Sequence, residues 1–303
     1  MIEGLPEGFT VRPATPQDVD LITELTAAAE LDLDGEVDVD RDDVEMGFGR
    51  AGFDASQDCI FVFEGDVPVA WADTYQDRAE ADVRPSHRGR GIGSTLAAWT
   101  EERARAHGEP KVSQNVTDSN RAAAELFTAR GYESSRTSWY LEIAFRDGPP
   151  PEPTPPAGIT IRSYDPDRDE HAVYRLIDDA FSEWVGRDPI PSEEWAAYVI
   201  RHNAFAPAMS PLAFDGDELV GAVMSFDYGD GDEGWVQQLA TKATHRHRGI
   251  ARALLHSAFV SFSRAGKARC GLSTDSRTGA LSLYERVGMS VRRSYTRYTK
   301  RFP

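Results

Sequence analysis

The segment Ser86-His87-Arg88-Gly89-Arg90-Gly91-Ile92-Gly93 returns 158 residues later as Thr244-His245-Arg246-His247-Arg248-Gly249-Ile250-Ala251. In both places a basic, glycine-bearing stretch separates a strand-like run from a helical pattern. Glycine lets backbone N–H groups come close to a ligand, and the start of a helix adds partial positive charge. Each copy therefore reads as a cradle for a small polyanion of the diphosphate kind. A chain that carries such a unit twice is constrained to build two similar domains.

Other stretches repeat at nearly the same spacing. Phe9-Thr10-Val11-Arg12 pairs with Ile159-Thr160-Ile161-Arg162 at 150 residues, and Thr117-Asp118-Ser119 with Thr274-Asp275-Ser276 at 157. Gly131 and Gly288 are also 157 apart. A near-constant offset over half the chain means one duplicated domain, not a solenoid of short repeats. The proline-rich run Asp147-Gly148-Pro149-Pro150-Pro151-Glu152-Pro153-Thr154-Pro155-Pro156 lies between the copies and reads as a stiff extended linker. The expected division is residues 1–146, a linker over 147–157, and residues 158–303.

Each half shows one order of elements. A short β-rich start (Phe9 to Arg12; Ile159 to Arg162) leads into a helix carrying Val19, Leu21, Ile22 and Leu25, or Val173, Leu176, Ile177 and Phe181. A hairpin follows: Ile60 to Phe63 and Val67 to Ala72 around Glu64-Gly65-Asp66, or Leu212 to Phe214 and Leu219 to Met224 around Asp215-Gly216-Asp217. In the second half a strand over Trp235 to Thr241 runs into the glycine loop. The helix beyond it has an inward stripe of Leu255, Phe259 and Phe262 and ends near Gly266, as its counterpart ends near Gly108. A strand (Ala268 to Thr274), a short helix (Ala280 to Val287) and a final strand from Val291 towards Tyr298 complete the pattern. Strands and helices in this order predict an α+β fold, with a mixed, mostly antiparallel sheet flanked by helices in each half.

Charge narrows the function. The net charge of −17 argues against non-specific binding of nucleic acid or acidic membranes. Against it, Arg84, His87, Arg88 and Arg90 cluster at one loop, and Lys242, His245, Arg246, His247 and Arg248 at the other. Cys59 and Cys270 stand in no metal or redox spacing and read as buried thiols. No run is apolar enough to span a bilayer, and Met1 to Glu7 has neither the basic start nor the apolar core of a signal peptide. A cytoplasmic chain with no metal, nucleic-acid partner or membrane partner is expected, as a monomer or homodimer.

With these residues in view, each half resembles the GNAT superfamily of acetyl-coenzyme A-dependent N-acetyltransferases. The family loop is Arg or Gln, two residues, Gly, one residue, then Gly or Ala. Here it reads Arg88-Gly89-Arg90-Gly91-Ile92-Gly93 and Arg246-His247-Arg248-Gly249-Ile250-Ala251. The resemblance implies that the backbone of each loop holds the coenzyme A pyrophosphate, and that Leu239, Ala240 and Thr241 bond the pantetheine arm like an added strand. Asn120 matches a family position that touches the cofactor; its counterpart is Arg277.

The resemblance also separates the halves. The family motif Leu-Tyr-x-x-x-Gly, whose tyrosine protonates the departing thiolate, is complete at Leu283-Tyr284-Glu285-Arg286-Val287-Gly288. The first half reads Leu126-Phe127-Thr128-Ala129-Arg130-Gly131, and Phe127 has no proton to give. Tyr284 as a plain core tyrosine is the alternative. Some members take a glutamate thirteen residues before the loop arginine as base, which falls on Glu233 in the second half and on Tyr75 in the first. Glu233 as part of a solvated acidic turn with Asp230 and Asp232 is equally open. The second half is thus expected to be catalytic and the first degenerate, either binding coenzyme A without turnover or acting as scaffold.

The expected reaction is direct acetyl transfer to a primary amine of a small molecule. Glu30, Asp32, Asp34, Glu36, Asp38 and Asp40, with Glu183, Asp188, Glu193 and Glu194, suit a cationic acceptor or simply a solubilising surface. Trp184, Trp195 and Tyr198 could line its pocket or pack. The tandem arrangement is similar to the mycothiol synthase branch of the superfamily. A non-catalytic acetyl-coenzyme A sensor or scaffold and a protein or peptide N-acetyltransferase are the alternatives.

Overall fold

The computed structural model describes residues 2, 4–146, 148, 150–184, 189–229 and 231–303. Asp147 and Pro149 of the expected linker, Asp188, and Asp230 of the acidic turn lie outside them. The chain forms two compact units, Met1–Thr137 with Arg293–Pro303, and Ser138–Arg292.

In the first unit, β1 (Phe9–Pro13) pairs antiparallel with β2 (Cys59–Glu64), after the helices α1 (Val19–Asp34), α2 (Arg41–Phe48) and α3 (Ala55–Asp58). Neither α2 nor α3 was legible in the sequence, because each is short and polar. Their starts are capped by carboxylates: Asp40 accepts from the Asp42 N–H, and Asp54 from the Ser56 N–H. β2 makes the expected hairpin with β3 (Val67–Tyr75), which turns back into β4 (Arg78–Val83). After the glycine loop come α4 (Ile92–Ala106), β5 (Lys111–Thr117), α5 (Arg121–Ala129) and β6 (Glu133–Ala144).

The second unit repeats this order with β7 (Ile159–Ser163), α6 (Glu170–Ser182), α7 (Ser192–Tyr198), β8 (Pro211–Asp215), β9 (Glu218–Asp227) and β10 (Glu233–Thr241). The loop then opens α8 (Ile250–Arg264), followed by β11 (Arg269–Asp275), α9 (Leu281–Arg286) and β12 (Ser290–Arg301). The inward stripe of α8 is as expected: Leu254, Leu255, Phe259 and Phe262 are fully buried in one cluster with Val223, Val236 and Leu272. Gly234 carries no side chain because Phe262 occupies the place where a Cβ would stand.

One feature departs from the expected halves. Residues 138–144 of β6 pair antiparallel with β11 and so complete the second unit's sheet. Residues 295–301 of β12 pair antiparallel with β5 in the first unit. The compact units therefore do not follow residues 1–146 and 158–303; each is closed by the last strand of the other half. Strand patterning specifies an alternating face but not the neighbour that receives the ladder, so the exchange has no sequence signature.

Among the described residues no helix is long and apolar enough to cross a membrane, and no cluster of metal-ligating side chains occurs. Cys59 and Cys270 are buried free thiols, as expected.

Candidate active site

The site of the second unit begins with a break in its sheet. β10 and β11 run parallel and pair from Glu233/Arg269 to Val236/Leu272, after which the pairing stops. At the same point a bulge interrupts the β9–β10 ladder: Val236 pairs with Ser225, Gln238 with Met224, and Gln237 is the extra residue. A bulge bends the strand that carries it, so the ends of β10 and β11 separate. The opening is a cleft of about 1090 Å³ lined wholly by residues of this unit.

The glycine loop closes one end of the cleft. Arg246 is extended, His247 is left-handed at φ 62°, and Gly249 is left-handed at φ 84°. No side chain caps α8, so its first-turn N–H groups remain available, with Ile250, Ala251 and Arg252 in the cleft wall. The left-handed backbone of His247, where the first unit has Gly89 at φ 75°, is strain of the kind stored at ligand sites. Arg246, His247, Gly249, Ile250 and Ala251 all line the cleft, together with Leu239, Ala240 and Thr241 of β10. Arg248 points away and pairs with Asp215 at 3.1 Å.

Two observations bear on whether a coenzyme A thioester fits here. The Thr241 hydroxyl is buried without a hydrogen-bond partner, although Thr241 belongs to the cleft wall. An unpaired buried hydroxyl is costly unless a ligand satisfies it. Beyond Val236 the edge of β10 that faces β11 has no strand beside it among the described residues, which leaves room for an extended arm. Loop, edge and orphan hydroxyl together fit an extended, diphosphate-bearing molecule.

Tyr284 stands in the wall of this cleft, 8% exposed. Burial pushes its phenol up to about 12, against a hydrogen bond from the Thr274 hydroxyl. Thr274 is in turn bonded to Thr278 at 2.8 Å. A phenol in that state keeps its proton at neutral pH and is present there as a donor.

Glu233 does not join it. Its carboxylate contacts Arg269 at 3.4 Å and Arg292 at 3.3 Å, and Glu233 is not part of the cleft wall. The side chain folds over Gly271, where it fills the space a Cβ would need. Counting along the strand located the residue correctly but could not see this vacancy in β11. The carboxylate expected as base is thus engaged by two guanidinium groups and does not line the cleft.

The aromatic candidates divide. Trp184 lines the cleft, stacked on Phe181 at 4.2 Å, while Trp195 is a core residue and Tyr198 is 66% exposed. The carboxylates in the cleft wall are already engaged, Glu183 by Arg246 at 2.6 Å and Asp275 by Arg277 at 2.7 Å.

The equivalent region of the first unit is built differently. The β3–β4 ladder runs from Ala70/Val83 to Tyr75/Arg78 in unbroken register, without the bulge. Val83 stands where the second unit has Thr241, and Phe127 is buried against Tyr132. Gly91 has the same left-handed turn at φ 89°, and Pro6 lies 3.3 Å from where its Cβ would be. Arg90 pairs with Glu64 at 2.6 Å and Arg88 with Asp32 at 2.5 Å. Gly93 and Ile92 begin α4, and Ile92 is buried in the core. Asn120 spends its side-chain oxygen on the Ala123 N–H, capping α5.

The acidic run expected to attract a cation is likewise occupied. Glu30 accepts from the N–H groups of Asp38 and Val39, and Asp34 from the hydroxyls of Thr117 and Ser119.

Residues 23–132 and 170–289 each match the Acetyltransferase (GNAT) family. The chain belongs to that family. It is a tandem GNAT protein and an N-acetyltransferase, with acetyl-coenzyme A as co-substrate. The GCN5-related N-acetyltransferase from Sphaerobacter thermophilus is 32% identical, with a TM-score of 0.80 over 98% of this chain and 96% of that one. Mycothiol acetyltransferase from Geodermatophilus obscurus is 30% identical over 224 residues, 70% of each chain. That from Thermobispora bispora is 26% identical over 259 residues, 79% of this chain and 80% of its own. A tandem GNAT protein from the clavulanic acid biosynthesis pathway, 16% identical with a TM-score of 0.69, shares the fold.

Proposed function

We propose that the second unit carries out the acetyl transfer, to a primary amine of a small molecule, and that the first unit is a scaffold. Tyr284, buried in the wall of the diverging-strand cleft, is the observation that carries this reading. In the first unit a phenylalanine stands at that place and an unbroken ladder replaces the bulge.

Acetyl-coenzyme A supplies an acetyl group activated on sulfur. The amides at the start of α8, with His247, would hold its diphosphate while Arg246 stays on Glu183, and the Leu239–Thr241 edge of β10 would hold its pantetheine arm. Fixing both ends places the thioester near Tyr284, so positioning supplies much of the rate. The amine nitrogen forms a bond to the acetyl carbon as the carbon–sulfur bond breaks. Tyr284 Oη passes its proton to the departing sulfur. The proton released by the nitrogen goes to water, because Glu233 is held elsewhere by Arg269 and Arg292.

The relatives named mycothiol acetyltransferase support a small-molecule acceptor over a protein one. Thiol release from acetyl-coenzyme A in the presence of a panel of primary amines tests the proposal. Amine-dependent release supports it; tight binding of acetyl-coenzyme A with no release for any amine would make the protein a sensor instead.

A further inference from the structure

The bulge in β10 does more than separate two strands. In an unbroken strand adjacent side chains point to opposite faces, so Gln237 and Gln238 would be parted. Here the extra residue places both with Trp235 on the face that carries α6 and α7. Gln238 pairs with Met224, whose side chain packs in that layer with Phe226 and Trp195. Both glutamines line the cleft.

Each glutamine is also oriented. The Trp195 indole N–H donates to Gln238 Oε1 at 3.0 Å, and the Trp235 indole N–H donates to Gln237 Oε1 at 3.0 Å. An indole nitrogen can only donate, so each amide must turn its oxygen to the tryptophan and its NH2 away from it. Two amide groups thus offer N–H donors at one wall of the cleft. The cleft's carboxylates are neutralised by Arg246 and Arg277, and Arg252 and Arg286 add positive charge to its lining.

We infer that Gln237 and Gln238 determine acceptor specificity, selecting an amine on an oxygen-bearing skeleton, whose hydroxyl or carbonyl oxygens accept from their NH2 groups, over polyamines. The inference rests on the proposed chemistry of the second unit. A second ammonium group would meet amide donors and guanidinium groups there, with no free carboxylate among the described lining residues. Buried polar sites discriminate strongly against a ligand that leaves their donors unpaired.

The test compares kcat/KM for serinamide and glucosamine with that for cadaverine and spermidine, using the full chain and acetyl-coenzyme A. The oxygen-bearing amines should be favoured by about tenfold or more. Gln238→Leu should raise their KM about fivefold while kcat changes less than about twofold. Gln238→Glu keeps an oxygen for the Trp195 indole and should shift preference towards spermidine, so it covers the case in which the leucine variant fails to fold. Calorimetric affinity for coenzyme A should be unchanged in both. Preference for the polyamines in the unsubstituted protein, or unchanged KM in both variants, overturns the inference while leaving acyl transfer intact. No thiol release with any of the four amines defeats the inference and the proposed chemistry together.

Discussion

The Asp34 carboxylate accepts the Thr117 hydroxyl at 3.0 Å, at the very end of β5 in the first unit. Ser119 donates to the same oxygen at 2.8 Å, and the buried Arg293 guanidinium lies 4.0 Å from the other. In the second unit the equivalent threonine, Thr274, is bonded to Thr278 at 2.8 Å and lines the cleft with Tyr284. One position of a duplicated fold thus lines the cleft in one copy and forms an internal clasp in the other.

That clasp, with the missing bulge, leads to a stoichiometry. Calorimetry of the full chain with acetyl-coenzyme A should show one site. Gly249→Val, at a left-handed residue in the cradle, should abolish it. Gly91→Val strains the other loop equally and should lower stability without changing the number of sites.

Tyr284→Phe should lower turnover about tenfold or more and leave the affinity for acetyl-coenzyme A nearly intact, as measured by steady-state rates and calorimetry. The working form is the protonated phenol, and burial pushes its pKa up to about 12. The acid is therefore retained as pH rises through the ordinary tyrosine value near 10 and is lost only above it. A kcat profile that falls with an apparent pKa near 10 would remove Tyr284 as the donor.

Glu233→Gln gives the opposite pattern. Turnover should stay within about threefold of the parent, since the carboxylate serves Arg269 and Arg292 and not the cleft. The thermal midpoint should drop, because both guanidinium groups lose a charged partner. Loss of turnover by two orders of magnitude would restore Glu233 as the base.

A matched pair of anchors ties the first strand of each repeat to the helix that follows. Arg12 forks onto Asp18 at 2.8 and 2.7 Å, and Arg162 onto Asp169 at 2.6 and 2.8 Å. Burial opposes the charged form of Asp169, but the Arg162 hydrogen bonds and the Asp165 N–H overcome it, so its pKa lies below the ordinary value. The pair's stabilisation is therefore present above the usual carboxylate range near 4 and lost as pH falls through the folded value. Asp169→Asn should cost about 2 kcal/mol at pH 7, and the difference from the parent should shrink in acid, as read from urea unfolding at both pH values.

The sequence by itself determined the duplication, the order of the longer strands and helices, the two glycine loops and the contrast between Tyr284 and Phe127. These are local properties: a hydrophobic period, a left-handed turn and the presence of one hydroxyl are written in adjacent residues. The tertiary structure alone decided which strand closes each sheet, because ladder hydrogen bonds carry no label of their partner. It also moved Glu233 over Gly271, turned Gln237 and Gln238 to one face, and spent the carboxylate of Asp34 on hydroxyl groups distant in sequence. Each of these depends on a vacancy, an extra residue or a partner contributed by another element. A charge or an amide acquires its role only when the groups that reach it are known, and those groups are chosen by the fold.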